Sequence, residues 1–419
     1  MINPNKKITG KIYEKNGKWH MVLAFVDSEG KRKQKWKSTG LSSRGNKKQA
    51  QKMLDEELER CNESIDNTIE FYQKKKTLLF CNYIREWLKV QHTRVEESSF
   101  CSDSITVNTH LFPYFCDKNI LLADVTAKTI NDYFDAKRKG YGGRKPLSET
   151  SLQRHYATLS SILSMAVEEG FVEKRTIAGI VKPKNDTKKI RIYNEDQIEE
   201  LIDILNDSNS KLLVPVMLAS YFALRREEVS GLKEENIDFA NHRLYIEGSV
   251  TTGYLFDEKT GEYKTTQFQK NKLKSESSRR SFELFPEIEN YLKQIIETKK
   301  MYMKIYGNAY NMKYKDYIFV HENGNLITPD YITHTFGKII KKYNLPHLTF
   351  HGLRHSSASL LLRKGFTMKE VQEWLGHGSY ELTASIYAHV YSERKSEMSN
   401  TISECFKSKK DVRCKEACC

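Results

Sequence analysis

Short apolar and basic runs broken by turn signals fill residues 8–39, and a helical period follows. The runs ITGKIYEK, WHMVLAFV and KRKQKWKST predict three strands, separated by the turn signals Asn16-Gly17 and Asp27-Ser28-Glu29-Gly30. Ala50, Met53, Leu54 and Leu58 then recur at helical spacing, which predicts a helix over 46–62. Residues 66–78 read as a polar connector. From 79 to 175 the period is helical again, through LLFCNYIREWLKV, VNTHLFPYFC, TAKTINDYFDAKRK and SETSLQRHYATLSSILSMAVEEG, the last with Ser148 as an N-cap candidate. The segment VKPKNDTKKIRIY, 181–193, has Pro, Asn, Asp and a charge run, and reads as an interdomain linker. Beyond it Asn194 is placed to cap a helix over 195–206. Helices follow at 210–222 and 226–233, strands at 243–247, 263–270 and 278–284. Further helices are expected at 286–305, 329–343, 352–364, 368–375 and 380–390. The expected fold is multidomain α+β. It comprises a small three-stranded sheet with a helix, a helical domain, and a mixed, mainly α domain holding a small antiparallel sheet.

Composition narrows the class. The chain has 419 residues, enough for two or three domains. No apolar run approaches membrane-spanning length, and MINPNKKITGK lacks the apolar core of an export signal, so a protein that stays in the cytosol is expected. The net charge is +14, which favours a polyanionic partner. Residues 1–50 hold thirteen Lys/Arg against three Asp/Glu. Lys31, Arg32, Lys33, Lys35 and Lys37 flank Trp36 in the third strand, a pattern suited to DNA phosphates, though also to a solvated basic hairpin. A second basic stretch, with Lys139, Arg144 and Lys145 around three glycines, lacks the spacing of a nucleotide-binding P-loop and suits a DNA backbone or plain solvent. The eight cysteines leave residues 117–404 empty and form no disulfide framework, so reduced thiols are expected.

The chemistry lies in the last 200 residues. ALRREEVSGL carries Arg225 and Glu228, HGLRHSSASLLL carries His351, Arg354 and His355, and WLGHGSYELTASIYAHV carries His377 and Tyr387. Cleaving a phosphodiester with an oxygen nucleophile requires fixed cations on the non-bridging oxygens. Arginine suits that task because its planar fork donates two hydrogen bonds and stays charged. A tyrosine hydroxyl needs a base or cationic surroundings, and the leaving oxygen needs a proton. Competing readings exist. His351 and His355 have the spacing of a zinc helix, but Gly352 stands where a zincin has Glu, and Arg354 would repel a metal. Glu228 could hold Arg225 in an ordinary ion pair.

In order and spacing over 195–392, these residues resemble the tyrosine recombinase (phage integrase) family. ALRREEVSGLKEENID is similar to its first arginine box and KSESSRRSFEL to its lysine-bearing hairpin. HGLRHSSASLLLRKG is similar to its His-x-x-Arg box and LGHGSYELTASIYAHV to its closing box. The resemblance implies that Arg225 and Arg354 bind the scissile phosphate and that Lys274 protonates the leaving 5′ oxygen. It further implies that His351 acts as base or proton shuttle, that His377 donates to a phosphate oxygen, and that Tyr387 forms a 3′-phosphotyrosyl link. Glu228 and His355 support them. No metal, nucleotide or other cofactor is implied.

The chain departs from the family's usual pattern at Phe222-Ala223, where Thr-Gly is common, at Gly352 for Asp and at Gly378 for Ser. The implied domains are an arm-site DNA-binding domain at 1–65, a core-site domain at 79–180, the catalytic domain at 188–397 and a tail at 398–419. The arm-site domain is like that of conjugative-transposon integrases. The implied function is site-specific recombination through a Holliday junction, for integration and excision of a mobile element. The implied setting is a homotetramer on double-stranded DNA with core and arm sites, in the bacterial cytoplasm at the nucleoid, with room for an excisionase and a DNA-bending protein. A type IB topoisomerase-like enzyme and a non-catalytic DNA-binding regulator are the alternatives.

Overall fold

Asn16 and Gly17 both take positive φ, 53° and 70°, and close a two-residue hairpin between β1 (Thr9–Lys15) and β2 (Lys18–Val26). β3 (Arg32–Ser42) adds antiparallel to β2, so the sheet runs β1-β2-β3. The computed structural model describes residues 6–27, 29–184, 191–257, 259–260, 262–270, 279–378, 380 and 398–403. One face of this first sheet packs on α1 (Lys47–Thr77) through a small core of Ile8, Met21, Leu23 and Leu54. Gly10 permits the close approach, since a Cβ there would meet the Leu54 side chain at 2.9 Å.

The expected connector at 66–78 is instead the last third of α1. The segment contains neither Gly nor Pro. Phe71 gives it an apolar anchor against the Phe171 ring, 5.1 Å away. Lys74, Lys75 and Lys76 stand in the last turn, where cations favour the helix dipole.

The helices that follow are α2 (Phe80–Arg94), α3 (Glu97–Thr106), α4 (Phe112–Lys118), α5 (Ala127–Lys139), α6 (Glu149–Glu168) and the short α7 (Arg175–Ala178). A π-helical turn, Val107–Leu111, joins α3 to α4. Ser148 caps α6 by accepting from the Ser151 amide, as the sequence predicts. Phe80, Ile84, Phe115, Tyr133, Leu159 and Ile162 form the centre of the bundle core. The expectation of reduced thiols fails at one pair. Cys81 on α2 and Cys116 on α4 are brought together as a disulfide, with Cα atoms 5.3 Å apart. Residues 35 apart in sequence meet because α2 and α4 pack side by side, which spacing alone does not reveal.

The chain divides into two compact units, Met1–Val95 with Ser102–Asp186, and Thr187–Cys419 with Glu96–Cys101. In the second, Asn194 caps α8 (Glu195–Asp207) with a reciprocal Gln197 contact. α9 (Leu213–Tyr221) is buried from Leu213 through Ser220 and packs against α13 (Phe350–Arg363). α10 (Arg226–Ser230) is shorter than the expected 226–233, because the chain turns at Gly231, whose Cα lies too near Ser249 to carry a side chain.

β4 (Ile237–Asp238), β5 (Arg243–Ile246) and β8 (Arg280–Glu283) form one sheet in that order. β6 (Ser249–Asp257) and β7 (Glu262–Lys270) form a separate hairpin. β6 escapes sequence reading because Gly253 and the Thr pair interrupt its alternation, and its order comes from pairing with β7. α11 (Pro286–Tyr306), α12 (Pro329–Lys342) and α14 (Met368–Leu375) complete the unit. The expected helix at 380–390 lies almost wholly outside the described residues. Among the described residues no helix is long and apolar enough to cross a membrane.

Candidate active site

Three segments converge on the second unit's polar centre. The first is the end of α9 and the start of α10. Arg225 is the extended N-cap of α10, and Glu228 sits one turn on. One Glu228 oxygen accepts from the Arg225 amide at 2.8 Å and the other from Arg225 Nη1 at 2.8 Å. The second segment is α13, which begins at Phe350 rather than 352, because Thr349 caps it by accepting from the Gly352 amide. His351 therefore stands in the first turn, with Arg354 and His355 on the same face. The third is the end of α14, where Gly376 takes φ 65° and releases the chain toward His377.

Arg354 ties the segments together. Its side chain is 1% exposed, and its guanidinium donates to the Ala223 carbonyl at 2.5 Å and the Leu375 carbonyl at 2.6 Å. Each carbonyl lies two residues before a candidate reacting group, Arg225 or His377. Ala223 holds φ 55°, a left-handed conformation uncommon for a residue with a Cβ, and this aims its carbonyl at Arg354. Arg225 Nη2 in turn points at the Gly376 carbonyl, 3.4 Å away. The Gln372 amide holds the His377 carbonyl at 3.0 Å.

The electrostatics follow from this crowding. Burial alone would raise the Glu228 carboxyl, but Arg280, then Arg225 and Arg354, outweigh it and hold the group at about 2. Loss of hydration around the ring, then Arg354, Arg225 and Arg226, pushes His351 down to about 4, although the residue as a whole is exposed. Burial, then His351 and Arg354, does the same to His355, also about 4. Burial, then Arg354 and Arg225, takes His377 to about 3. All three imidazoles are neutral at pH 7. A neutral His351 can accept a proton, and a neutral His377 can still donate one N–H to an anion. The His351 and His355 rings lie edge to face, 4.7 Å between centroids, and among the described residues no cluster of three or more His, Cys, Asp or Glu could hold a metal ion.

The structure thus brings together Arg225, Glu228, His351, Arg354, His355 and His377. Lys274 and Tyr387 lie outside the described residues. Sequence reasoning passed over Arg280, whose buried guanidinium grips both Glu228 oxygens at 3.1 and 2.8 Å. A signal was present. Arg280 is two residues before Phe282, a core residue, so strand alternation turns both inward.

The basic strand β3 is divided by its register. Lys33, Lys35 and Lys37 oppose Phe25, Leu23 and Met21, and so lie on the α1 side of the sheet. Lys33 pairs with Asp27 at 2.9 Å and Lys37 with Glu57 of α1 at 3.1 Å. Lys31 pairs with Glu29 at 3.0 Å outside the strand. Arg32 and Trp36 share the open face with Gln34, and there they join Lys11, Tyr13, Lys15 and His20, which sequence reasoning did not single out. Trp36 is 49% exposed, 5.6 Å from the Tyr13 ring, with the Lys15 ammonium 5.7 Å from it. Lys139, Arg144 and Lys145 are exposed at the end of α5 and the loop after it.

Comparison with known proteins bears on the family and the fold. The phage integrase family profile matches residues 191–394, and the phage integrase SAM-like domain profile matches 79–182. The chain is 30% identical over 256 residues to a tyrosine recombinase XerC-like protein of Caldanaerobacter subterraneus, covering 59% of this chain and 64% of that one. It shares the fold of the Tn1549 transposon integrase solved with a circular intermediate DNA, with a TM-score of 0.59 and 18% identity over 77% of this chain and 99% of that one. It also shares the fold of a lambda integrase solved as a tetramer on a Holliday junction, with a TM-score of 0.51 and 16% identity over 90% and 94% of the two chains.

Proposed function

The chain belongs to the phage integrase family, and from that premise we propose that it is a site-specific DNA recombinase serving integration and excision of a mobile element. Tyr387 attacks the scissile phosphorus through its hydroxyl oxygen. The bond to the 5′ oxygen breaks, and a 3′-phosphotyrosyl link forms. His351, neutral in the free site, takes the tyrosine proton. Lys274 returns a proton to the leaving 5′ oxygen. Arg225, Arg354 and the His377 N–H neutralise the charge that grows on the non-bridging oxygens. A 5′ hydroxyl from a second strand then reverses the attack, so the bond energy is kept without a nucleotide.

The observation that carries this reading is the convergence of Arg225, Arg354, His351 and His377 from three separate segments, with Arg354 bonded to the carbonyls just ahead of two of them. In the same reading residues 1–65 bind arm-site DNA through the open face of the first sheet. Residues 79–180 hold the core site, aided by Lys139, Arg144 and Lys145, 188–397 carry out the chemistry, and the tail 398–419 follows. Four copies exchange strands in pairs on two duplexes, with an excisionase and a DNA-bending protein setting direction.

The test is a nicked duplex in which cleavage lets a short 5′-hydroxyl fragment escape. The wild-type chain should accumulate a covalent protein–DNA adduct. Tyr387→Phe should bind the duplex with unchanged affinity and form no adduct. An adduct in that variant would remove Tyr387 as nucleophile. Relaxation of supercoiled DNA lacking any specific site would favour a topoisomerase instead.

A further inference from the structure

The two arginines that share Glu228 are not equivalent. The Arg225 side chain is 31% exposed, so a phosphate can reach it. Arg280 is 7% exposed and meets Glu228 with both terminal nitrogens, at 3.1 and 2.8 Å. Its place is fixed from the backbone side as well, since Arg280 begins β8 and pairs with Ile246 of β5, and its guanidinium lies 5.5 Å from the Phe282 ring. It cannot touch DNA itself.

The charge balance explains why a second arginine stands there. A carboxylate paired with Arg225 alone would neutralise the cation meant for the phosphate. With Arg280 on the same two oxygens, one negative charge is shared between two guanidiniums. The trio keeps one net positive charge, and only Arg225 can present it outward. Glu228 still orients Arg225 through the amide and Nη1 contacts.

Resting on the recombinase reading above, we infer that Arg280 is a positioning residue for strand cleavage: it draws the charge of Glu228 away from Arg225, so that Arg225 meets the scissile phosphate as an oriented and uncompensated cation. The harm done by losing Arg280 should come from Glu228, and removing the Glu228 charge as well should undo part of it. A residue that merely filled space would show no such rescue, since a second change in the same core adds further loss.

The experiment measures single-turnover adduct formation on the nicked duplex, with duplex affinity followed separately, for the full-length wild type, Arg280→Met, Arg280→Lys, Glu228→Gln and Arg280→Met/Glu228→Gln. Arg280→Met should lower the cleavage rate on the order of a hundredfold, the usual effect of losing one oriented donor. Duplex affinity should stay within about twofold. The double variant should cleave at least about tenfold faster than Arg280→Met. A methylphosphonate at the scissile position, which removes the non-bridging charge, should shrink the gap between wild type and Arg280→Met. If Arg280→Met does not fold, Arg280→Lys carries the test, since it keeps the charge but loses the two-pronged grip and should fall between the other two rates.

A wild-type rate in Arg280→Met, or in Arg280→Lys where that variant stands in, overturns the inference. So does a folded double variant no faster than Arg280→Met, or a gap unchanged on methylphosphonate. A wild-type chain that forms no adduct at all removes the recombinase reading, whereas an adduct in wild type with no Arg280 effect removes this inference alone.

Discussion

A histidine surrounded by arginines behaves as a base waiting for an anion. His351, His355 and His377 are held at about 4, 4 and 3, against an ordinary value near 6.5, by loss of hydration first and then by neighbouring arginines, with His351 ahead of Arg354 in the case of His355. The direction fixes the sign of a pH effect on stability. The unfolded chain takes up protons on these residues as pH falls below about 6.5, while the folded chain refuses them until about 4. Their contribution is therefore fully present above pH 6.5 and is lost on the way down to 4. His110 and His155 in the first unit, held at about 4 and 3 chiefly by burial, act in the same sense, and so does the lowered His321. Glu228, at about 2, changes its balance only below the ordinary carboxylate range near 4.5, so between 6.5 and 4.5 the lowered histidines outweigh the one opposing carboxyl among the described residues, Asp103, which burial pushes up. Urea midpoints measured at fixed ionic strength should fall steadily from pH 6.5 to 4.5. A level or rising midpoint across that interval would contradict the neutral, lowered histidines.

At the level of elements, legibility depended on whether a signal was local. The Asn16-Gly17 turn and the Ser148 and Asn194 caps are written in neighbouring residues, and the structure has them where the sequence places them; α13 keeps its helical period and starts two residues earlier. α1 runs beyond the helix that its local period predicts because its second half is polar and gains its anchor from Phe171, a hundred residues away. β6 depends on β7 in the same way. The site divides along the same line. Arg225, His351, Arg354 and His377 announce themselves as motifs. Arg280 acts only through Glu228 from another segment, and motif reading cannot see such a contact. The first sheet offers a test of how far register outranks composition. Trp36 and Lys33 are three residues apart, yet pleating puts Trp36 on the open face and Lys33 on the α1 side against Asp27. Trp36→Ala should weaken binding to an arm-site duplex roughly tenfold or more, in keeping with loss of an aromatic anchor. Lys33→Ala should cost no more than about threefold, because that ammonium already has a carboxylate partner, and a screened surface charge contributes little. Fluorescence anisotropy on the full chain decides. Equal losses, or a larger one at Lys33, would return the basic strand as a whole to the role of DNA contact.

For the whole molecule, the distribution of charge makes the sharpest demand. Residues 1–77 hold eighteen Lys/Arg against ten Asp/Glu, a net +8 of the chain's +14. If that excess serves a dedicated DNA-binding module, it must show as released counterions, and log K should fall with log salt by about 0.9 for each phosphate neutralised. Deleting the module is a poor way to look. The last turns of α1 belong to the helical bundle, with Phe71 on Phe171 and the Lys75 ammonium on the Gly170 carbonyl at 2.7 Å, so a cut at residue 78 would strip the bundle's own packing. The open face supplies a cleaner change. Lys11, Lys15 and Arg32 are exposed there, and Lys11 and Lys15 also lie over the Tyr13 and Trp36 rings at 5.3 and 5.7 Å. Replacing all three by Gln in the full chain touches no core residue. On a duplex carrying the arm site alone, the salt slope should become shallower by about 3, one phosphate for each lost cation at about 0.9 apiece. On a duplex carrying only the core site, the slope and the rate of adduct formation should not change. A shallower slope on both duplexes would mean that the excess charge acts as a general field around the molecule. An unchanged slope on the arm duplex would move DNA contact off this face.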